Sequence, residues 1–194
     1  MISCILLSAG LSSRFGSPKA LAKLKNETVI AHLLNSLLKT SIEEIIVVLG
    51  ANRDEIEQAI PKNKKIKIAY NANYKLGQTS SFQTGLKAVS PTASGILLLP
   101  VDCPLIKPDT VNRLLDFFKK QSPIILIPTY QGRRGHPPIF NISLKAEFSN
   151  LSPELGLNTI IYTYEKNVQS FSVNDLGVVQ SFNTPDELRK IADL

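Results

Sequence analysis

Five apolar runs of strand length alternate with four stretches whose apolar residues recur every three or four positions, and this alternation constrains the chain more than any other feature. The runs are Ile2 to Ser8, Glu44 to Leu49, Lys65 to Asn71, Gly95 to Val101 and Ile124 to Thr129; between them lie Val29 to Lys39, Arg53 to Ile60, Thr79 to Val89 and Pro108 to Lys120. Runs that are apolar throughout need cover on both faces, and the amphipathic stretches supply it as crossover helices. The pattern predicts a three-layer α/β/α fold around a mainly parallel sheet, with right-handed crossovers.

Past Thr129 the regularity weakens. Gly132, Gly135, Pro137 and Pro138 mark a loop before a short strand at Ile139 to Asn141. Helices are expected at Leu144 to Phe148 and Pro153 to Tyr164, and strands at Val168 to Val173 and near Val178 to Phe182. A last helix should start at Thr184-Pro185, where Thr184 suits an N-cap and Asp186 and Glu187 complement the helix dipole. No linker or repeat interrupts the 194 residues, which read as one domain: a nucleotide-side half to about residue 101 and an acceptor-side half from about 102.

No apolar run reaches the ~20 residues of a membrane span. Cys4 and Cys103 have neither C-x-x-C nor zinc-type spacing, and no signal-peptide pattern opens the chain, so a cytoplasmic protein is expected. The net charge of +6 is concentrated. From Gln58 to Val101 there is no Asp or Glu but six lysines: Lys62, Lys64, Lys65, Lys67, Lys75 and Lys87. Such a segment attracts polyanions, including a nucleoside triphosphate, but it lacks the interleaved aromatics and reading motif of a nucleic-acid binder.

Ligands of open α/β sheets sit at the carboxyl ends of strands, so the loops leaving the strands carry the chemistry. The first runs from Leu7 to Lys19 and contains Gly10, Gly16, Ser12, Ser13, Ser17, Arg14 and Lys19. Backbone N–H groups, hydroxyls and two cations together make an anion cradle suited to adjacent phosphates. Neither the P-loop spacing nor G-x-G-x-x-G is present. Gly77 to Ser81 opens a helix, where free N–H groups and the hydroxyls of Thr79, Ser80 and Ser81 face an anionic or hydroxyl-rich ligand. Asp102 follows the apolar run Ile96 to Leu99, which places a hard oxygen ligand for Mg²⁺ at the ligand edge.

The loop from Leu7 to Lys19 resembles the L-A-A-G-x-S-x-R-M-G-x-x-K signature of the molybdenum-cofactor nucleotidyltransferases. Four further segments resemble that family in order: Asn71 to Ser81, Pro100 to Pro104 around Asp102, Gly132 to Pro137, and Phe182 to Asp186. The resemblance implies a Rossmann-like nucleotidyltransferase fold and assigns Leu7, Ala9, Gly10, Ser12, Ser13, Arg14, Lys19, Gly77, Thr79, Ser80 and Ser81 to the nucleotide. It assigns Gly135, His136 and Pro137 to the acceptor, with Asp102 and Asn183 to Mg²⁺ or Mn²⁺. Arg133 and Arg134 are candidates to clamp the acceptor phosphate.

The implied reaction is attack of an acceptor phosphate oxygen on the α-phosphorus of an NTP. Arg14, Lys19 and Asp102 would be catalytic and no general base is needed. His32, inside a helical pattern, is expected to be structural. The Leu7-Ser8-Ala9-Gly10 form and the G-x-x-G-H-P loop resemble cytidylyl relatives, implying CTP and a molybdopterin-type cofactor, with a recipient molybdoenzyme as a possible partner. Asn183, where cytidylyl relatives often carry Asp, favours GTP; a sugar phosphate acceptor is another alternative. A non-catalytic cofactor-delivery protein is the alternative of another class, opposed by the joint presence of Arg14, Lys19 and Asp102.

Overall fold

The computed structural model describes residues 1–192. In chain order its strands are β1 (Ile2–Ser8), β2 (Lys23–Leu24), β3 (Glu27–Thr28), β4 (Glu44–Leu49), β5 (Ile66–Tyr70), β6 (Gly95–Pro100), β7 (Ile125–Tyr130), β8 (Arg133–Arg134), β9 (Ile139–Asn141) and β10 (Val168–Ser172). The α-helices are α1 (Val29–Leu38), α2 (Arg53–Gln58), α3 (Gln78–Ala88), α4 (Pro108–Gln121), α5 (Lys145–Asn150), α6 (Asn158–Thr163) and α7 (Pro185–Ala192). The main sheet has the order β10-β7-β9-β6-β1-β4-β5, with β8 paired to β7, while β2 and β3 form a separate hairpin. Pairing is parallel except that β9 runs against β6 and β7, and β8 against β7.

β1 lies at the centre with all seven residues buried. Its side chains alternate between two cores. Cys4 and Leu6 face the layer of α1, α2, α4 and α7, whereas Ile5 and Leu7 face α3, α5 and α6. The second core is filled by Phe82, Phe140 and Phe148, whose rings meet edge to face with centroids 4.8 to 6.3 Å apart. This is the expected three-layer, mainly parallel arrangement. Both cysteines are buried and unpaired, and no described helix is long and apolar enough to cross a membrane.

Local sequence sets the helix positions. Thr28 caps α1 by accepting the Ala31 N–H at 3.3 Å, and Val29, Ile30, Leu33, Leu34 and Leu37 form its buried stripe. α3 contains Gly85, where an added Cβ would lie 2.6 Å from the Ile5 side chain; the missing side chain lets this helix press onto the sheet. α7 begins with a capping box: Glu187 N–H donates to Thr184 Oγ1 at 3.3 Å, and Glu187 Oε2 accepts the Thr184 and Asn183 N–H groups.

Three expectations need correction. The segment near Val178 to Phe182 is a 3₁₀ turn, Leu176–Val179, followed by irregular chain, because its carbonyls and N–H groups bind loops instead of a strand. The helix expected over Pro153 to Tyr164 is confined to Asn158–Thr163, since Ser152 to Leu155 forms a turn. The helix expected at Leu144 to Phe148 starts as a 3₁₀ turn, Ile142–Leu144, and continues to Asn150.

The lysine-rich segment is also placed differently from what its charge suggested. Lys62 to Lys67 lies at the start of β5, the opposite end of the sheet from the strand tips that build the cleft described below. Lys65 Nζ donates to the Ile42 carbonyl at 2.8 Å, and Lys67 Nζ pairs with Glu44 at 2.6 Å. Glu44 is buried and also accepts from Ser3 Oγ at 2.5 Å and the Ser90 N–H at 3.1 Å. Burial alone would raise its pKa, but the bonds from Lys67, Ser3 and Ser90 outweigh it and hold the carboxyl below its ordinary value.

A depressed native pKa contributes stability above the unfolded pKa and loses it as pH falls through the native value. Glu44→Gln is therefore expected to cost about 1–3 kcal/mol near neutral pH, with the gap to the wild type closing in acid. Urea unfolding at about pH 7 and about pH 3 checks this.

Candidate active site

From β1 the chain passes to β4 and β5 on one side, then returns through α3 to β6 on the other side. The strand order thus reverses between β1 and β6, and a ligand crevice is expected beyond their carboxyl ends. A cleft of about 460 Å³ lies there, walled by the Leu7 to Lys19 loop, the start of α3, the tip of β6 and Asn183. Val101 N–H donates to the Leu7 carbonyl at 3.0 Å, so the two strand tips are joined directly.

The first loop is closed on itself. Ser12, at φ 54°, accepts the Phe15 and Gly16 N–H groups at 2.8 and 3.1 Å, and its hydroxyl accepts the Lys19 N–H at 3.2 Å. Arg14 is exposed along the cleft wall. Gly50 supports the loop from behind. A Cβ there would lie 2.7 Å from the Ala9 carbonyl oxygen and 2.6 Å from Tyr74 Cβ.

Lys19 turns inward, with its side chain 12% exposed. Its ammonium donates to Asp102 Oδ2 at 3.3 Å, Asn183 Oδ1 at 3.0 Å and the Phe182 carbonyl at 2.8 Å, and lies 5.4 Å from the Phe182 ring centroid. Asp102 and Asn183, 81 positions apart in sequence, meet because Phe182 N–H donates to the Asp102 carbonyl at 3.1 Å. Those three oxygens form a hard, cation-binding donor set. Among the described residues no three His, Cys, Asp or Glu side chains converge as a metal site, and this set supplies one carboxylate, one amide and one main-chain oxygen.

The helix-opening segment departs from expectation. Gly77 caps α3 at φ 98°, a conformation that favours glycine, and lines the cleft together with Ser81. Thr79 and Ser80 do not line it. Both are buried, Thr79 donating to the Leu155 carbonyl at 2.6 Å and Ser80 to the carbonyls of Asn73 and Gly77. Asn71, also buried, donates to both Ser80 and Ser81 at 3.0 Å, so these hydroxyls brace the loop before α3.

A second cavity of about 390 Å³ is lined by Gly135, His136, Pro138, Phe140, Leu157 and Tyr162, among others. Pro137 is buried and does not line it. Gln78 borders both cavities. His136 is not the solvated loop histidine common in such segments. Its Nδ1 is buried without a hydrogen-bond partner, and burial lowers its pKa against the opposing pull of the Asp102 charge and the Leu98 backbone. Burial thus disfavours the charged imidazolium. Arg134 is held bidentately by Glu165 at 2.6 and 3.0 Å, and Arg133 is exposed. His32 bonds Glu27 at 2.9 Å and lines neither cavity.

Two features escaped the sequence. Phe182 contributes through a main-chain oxygen, which no residue type announces. Gln78 could have been suspected from its place directly after Gly77 at the opening of α3.

The family model for the MobA-like NTP transferase domain matches residues 4–168. Among curated relatives, the nicotine blue oxidoreductase of Paenarthrobacter nicotinovorans is 26% identical, covering 98% of this chain and 96% of that protein. A molybdenum cofactor guanylyltransferase of Shewanella baltica is 27% identical, covering 98% and 95%. Among solved structures, Rv0371c of Mycobacterium tuberculosis superposes with a TM-score of 0.86 at 24% identity, covering 100% of this chain and 97% of that one. Its manganese complex gives 0.82 at 23% identity, covering 99% and 98%. These structural likenesses establish the fold.

Proposed function

Because the chain belongs to the MobA-like NTP transferase family, we propose that this nucleotidyltransferase moves CMP from CTP to the terminal phosphate of a molybdopterin-type cofactor, releasing diphosphate. One observation carries the reading. The cationic loop, Lys19, Asp102 and Asn183 share one cleft, and the His136 cavity adjoins it across Gln78.

The acceptor is a phosphate monoester whose second pKa is near ~6, so its oxygen is anionic at neutral pH and needs no base. A half-buried His136 whose Nδ1 is out of reach of solvent and whose charged form is disfavoured fits a binding role on that side. The acceptor oxygen forms a bond to the α-phosphorus while the bond from that phosphorus to the β-phosphate bridging oxygen breaks, and diphosphate carries the negative charge away. Arg14 and Lys19 stabilise that charge, and the N–H groups at the start of α3 orient the phosphates.

Asp102, Asn183 and the Phe182 carbonyl would hold Mg²⁺ or Mn²⁺. The fit is supported by the ammonium they already grip as a stand-in cation. When bound, the ion would neutralise phosphate charge and polarise the α-phosphoryl oxygens. The manganese complex of the mycobacterial structure is in keeping with a divalent ion.

The base is the finer question. Asp102 is the one carboxylate lining the cleft among the described residues. Guanine presents two neighbouring donors, which a carboxylate suits; cytosine presents one donor group beside acceptors, which amides and main chain suit. That favours CTP. GTP is the second reading, supported by the guanylyltransferase names of the Shewanella relatives.

Diphosphate release measured with each NTP, Mg²⁺ and molybdopterin-type cofactor decides between them. CTP is expected to exceed GTP by at least about tenfold in kcat/KM. A preference for GTP transfers the reading to guanylyl transfer, and binding without turnover favours a carrier. A redox assay with a chromogenic electron acceptor tests the oxidoreductase activity named for the Paenarthrobacter relative.

A further inference from the structure

Lys19 has two claims on it. An ammonium has three N–H donors, and in this structure all three are spent: on Asp102, Asn183 and the Phe182 carbonyl, at 2.8 to 3.3 Å. None remains for a phosphate. The same three oxygens are those proposed to hold a divalent cation, and a singly and a doubly charged cation cannot share one small set of oxygens without strong repulsion.

We infer that Lys19 is a latch: its ammonium guards the metal oxygens until a triphosphate draws it away, so that metal and nucleotide enter as a coupled pair. The latch rests on the proposed metal site. Lysine suits it because its charge rides on four rotatable bonds, so the head can leave Asp102 while Ser12 keeps the backbone fixed through the Lys19 N–H. Triphosphate supplies the differential attraction that such a shift requires. Phe182 gives the retracted position further stability, since its ring faces the ammonium and packs edge to face on Phe15, with centroids 5.5 Å apart. By linkage, metal affinity should rise when Lys19 is drawn off, whether by a ligand or by mutation.

Free Mn²⁺ measured by electron paramagnetic resonance, in the absence of nucleotide, tests this. Lys19→Met removes the charge at similar length and is expected to bind Mn²⁺ at least about fivefold more tightly than the wild type. Lys19→Gln, which keeps polarity, should show the same gain. Lys19→Arg should not, because it keeps the charge. A merely structural lysine would give no gain in metal affinity on removal. Mn²⁺ binding by Lys19→Met and Lys19→Gln no tighter than wild type overturns the latch. The underlying metal site has its own control, Asp102→Asn in the Lys19→Met background. Loss of the gain there supports both ideas, and a gain that survives it overturns the metal site itself.

Discussion

Asp102→Ala is expected to lower diphosphate release at saturating CTP and acceptor by on the order of 10²- to 10³-fold, the usual cost of removing one fixed charge from a charge-stabilising site. The side chain is not what ties its turn into the fold. Its carboxylate is 27% exposed at the tip of β6, while the bond that ties this turn to the 182–183 segment uses the Asp102 main-chain carbonyl. Truncation thus leaves the Phe182 link, the joining of Val101 to Leu7 and both cores in place. Stability should change by less than about 1 kcal/mol. The loss should fall on kcat more than on nucleotide KM, because the Leu7 to Lys19 loop and the start of α3 remain to bind phosphates. Lys19→Ala should lose turnover comparably, since it removes the cation proposed to meet the departing charge. Near-wild-type release by either purified variant would refute the assignment.

How far the sequence disclosed this site depends on the kind of atom involved. β1, β4 and β9 occupy the residues expected, because buried apolar runs bounded by polar residues leave little freedom of register. Val178 and Phe182 read as strand for a related reason: they are apolar and buried. The burial is real, but a 3₁₀ turn and irregular chain achieve it, and periodicity cannot tell these apart over so few residues. The hairpin of β2 and β3 carries only half a turn signature: Asn26 sits in its two-residue loop, but Lys25 at φ 56° occupies the first loop position, where Gly would announce the turn.

Within the site, Lys19 and Asp102 are marked by charge and by their places in loops that leave strands, whereas Asn183 is marked only by the resemblance of its segment; the structure brings the three together. The hydroxyls of Thr79 and Ser80 were misread, since composition does not reveal which way a hydroxyl points. The oxygens of Leu155, Asn73 and Gly77 that claim them are main-chain atoms. For the same reason the Phe182 carbonyl could not be foreseen.

Gly135→Ala tests the acceptor side with an effect of similar size and a different signature. An added Cβ would lie 2.1 Å from the Val178 carbonyl oxygen and 2.7 Å from its carbon. That carbonyl accepts the His136 N–H at 2.7 Å, and Gly135 N–H donates to the Pro128 carbonyl at 2.9 Å, so the loop is clamped between β7 and the 176–179 turn. The turn cannot retreat. Buried Asp175 holds it through Lys107 N–H at 3.0 Å, Thr110 Oγ1 at 2.7 Å and Gly177 N–H at 3.0 Å, and Gly177 is itself closely packed on Leu105. The loop carrying His136 must therefore shift, at a cost of about 1–3 kcal/mol in stability. A shift of about 1 Å in an acceptor-positioning loop lowers the rate on the order of 10²-fold. None of these atoms borders the first cleft, so CTP affinity should stay within about twofold of wild type. Gly156→Ala, at an ordinary backbone conformation with no atom within 4 Å of the new Cβ, is the neutral control. Calorimetric CTP binding beside steady-state rates separates the two effects. Nucleotide affinity falling in step with turnover would show that the loop from Gly132 to Pro137 serves the nucleotide, and full activity would show that it serves neither substrate.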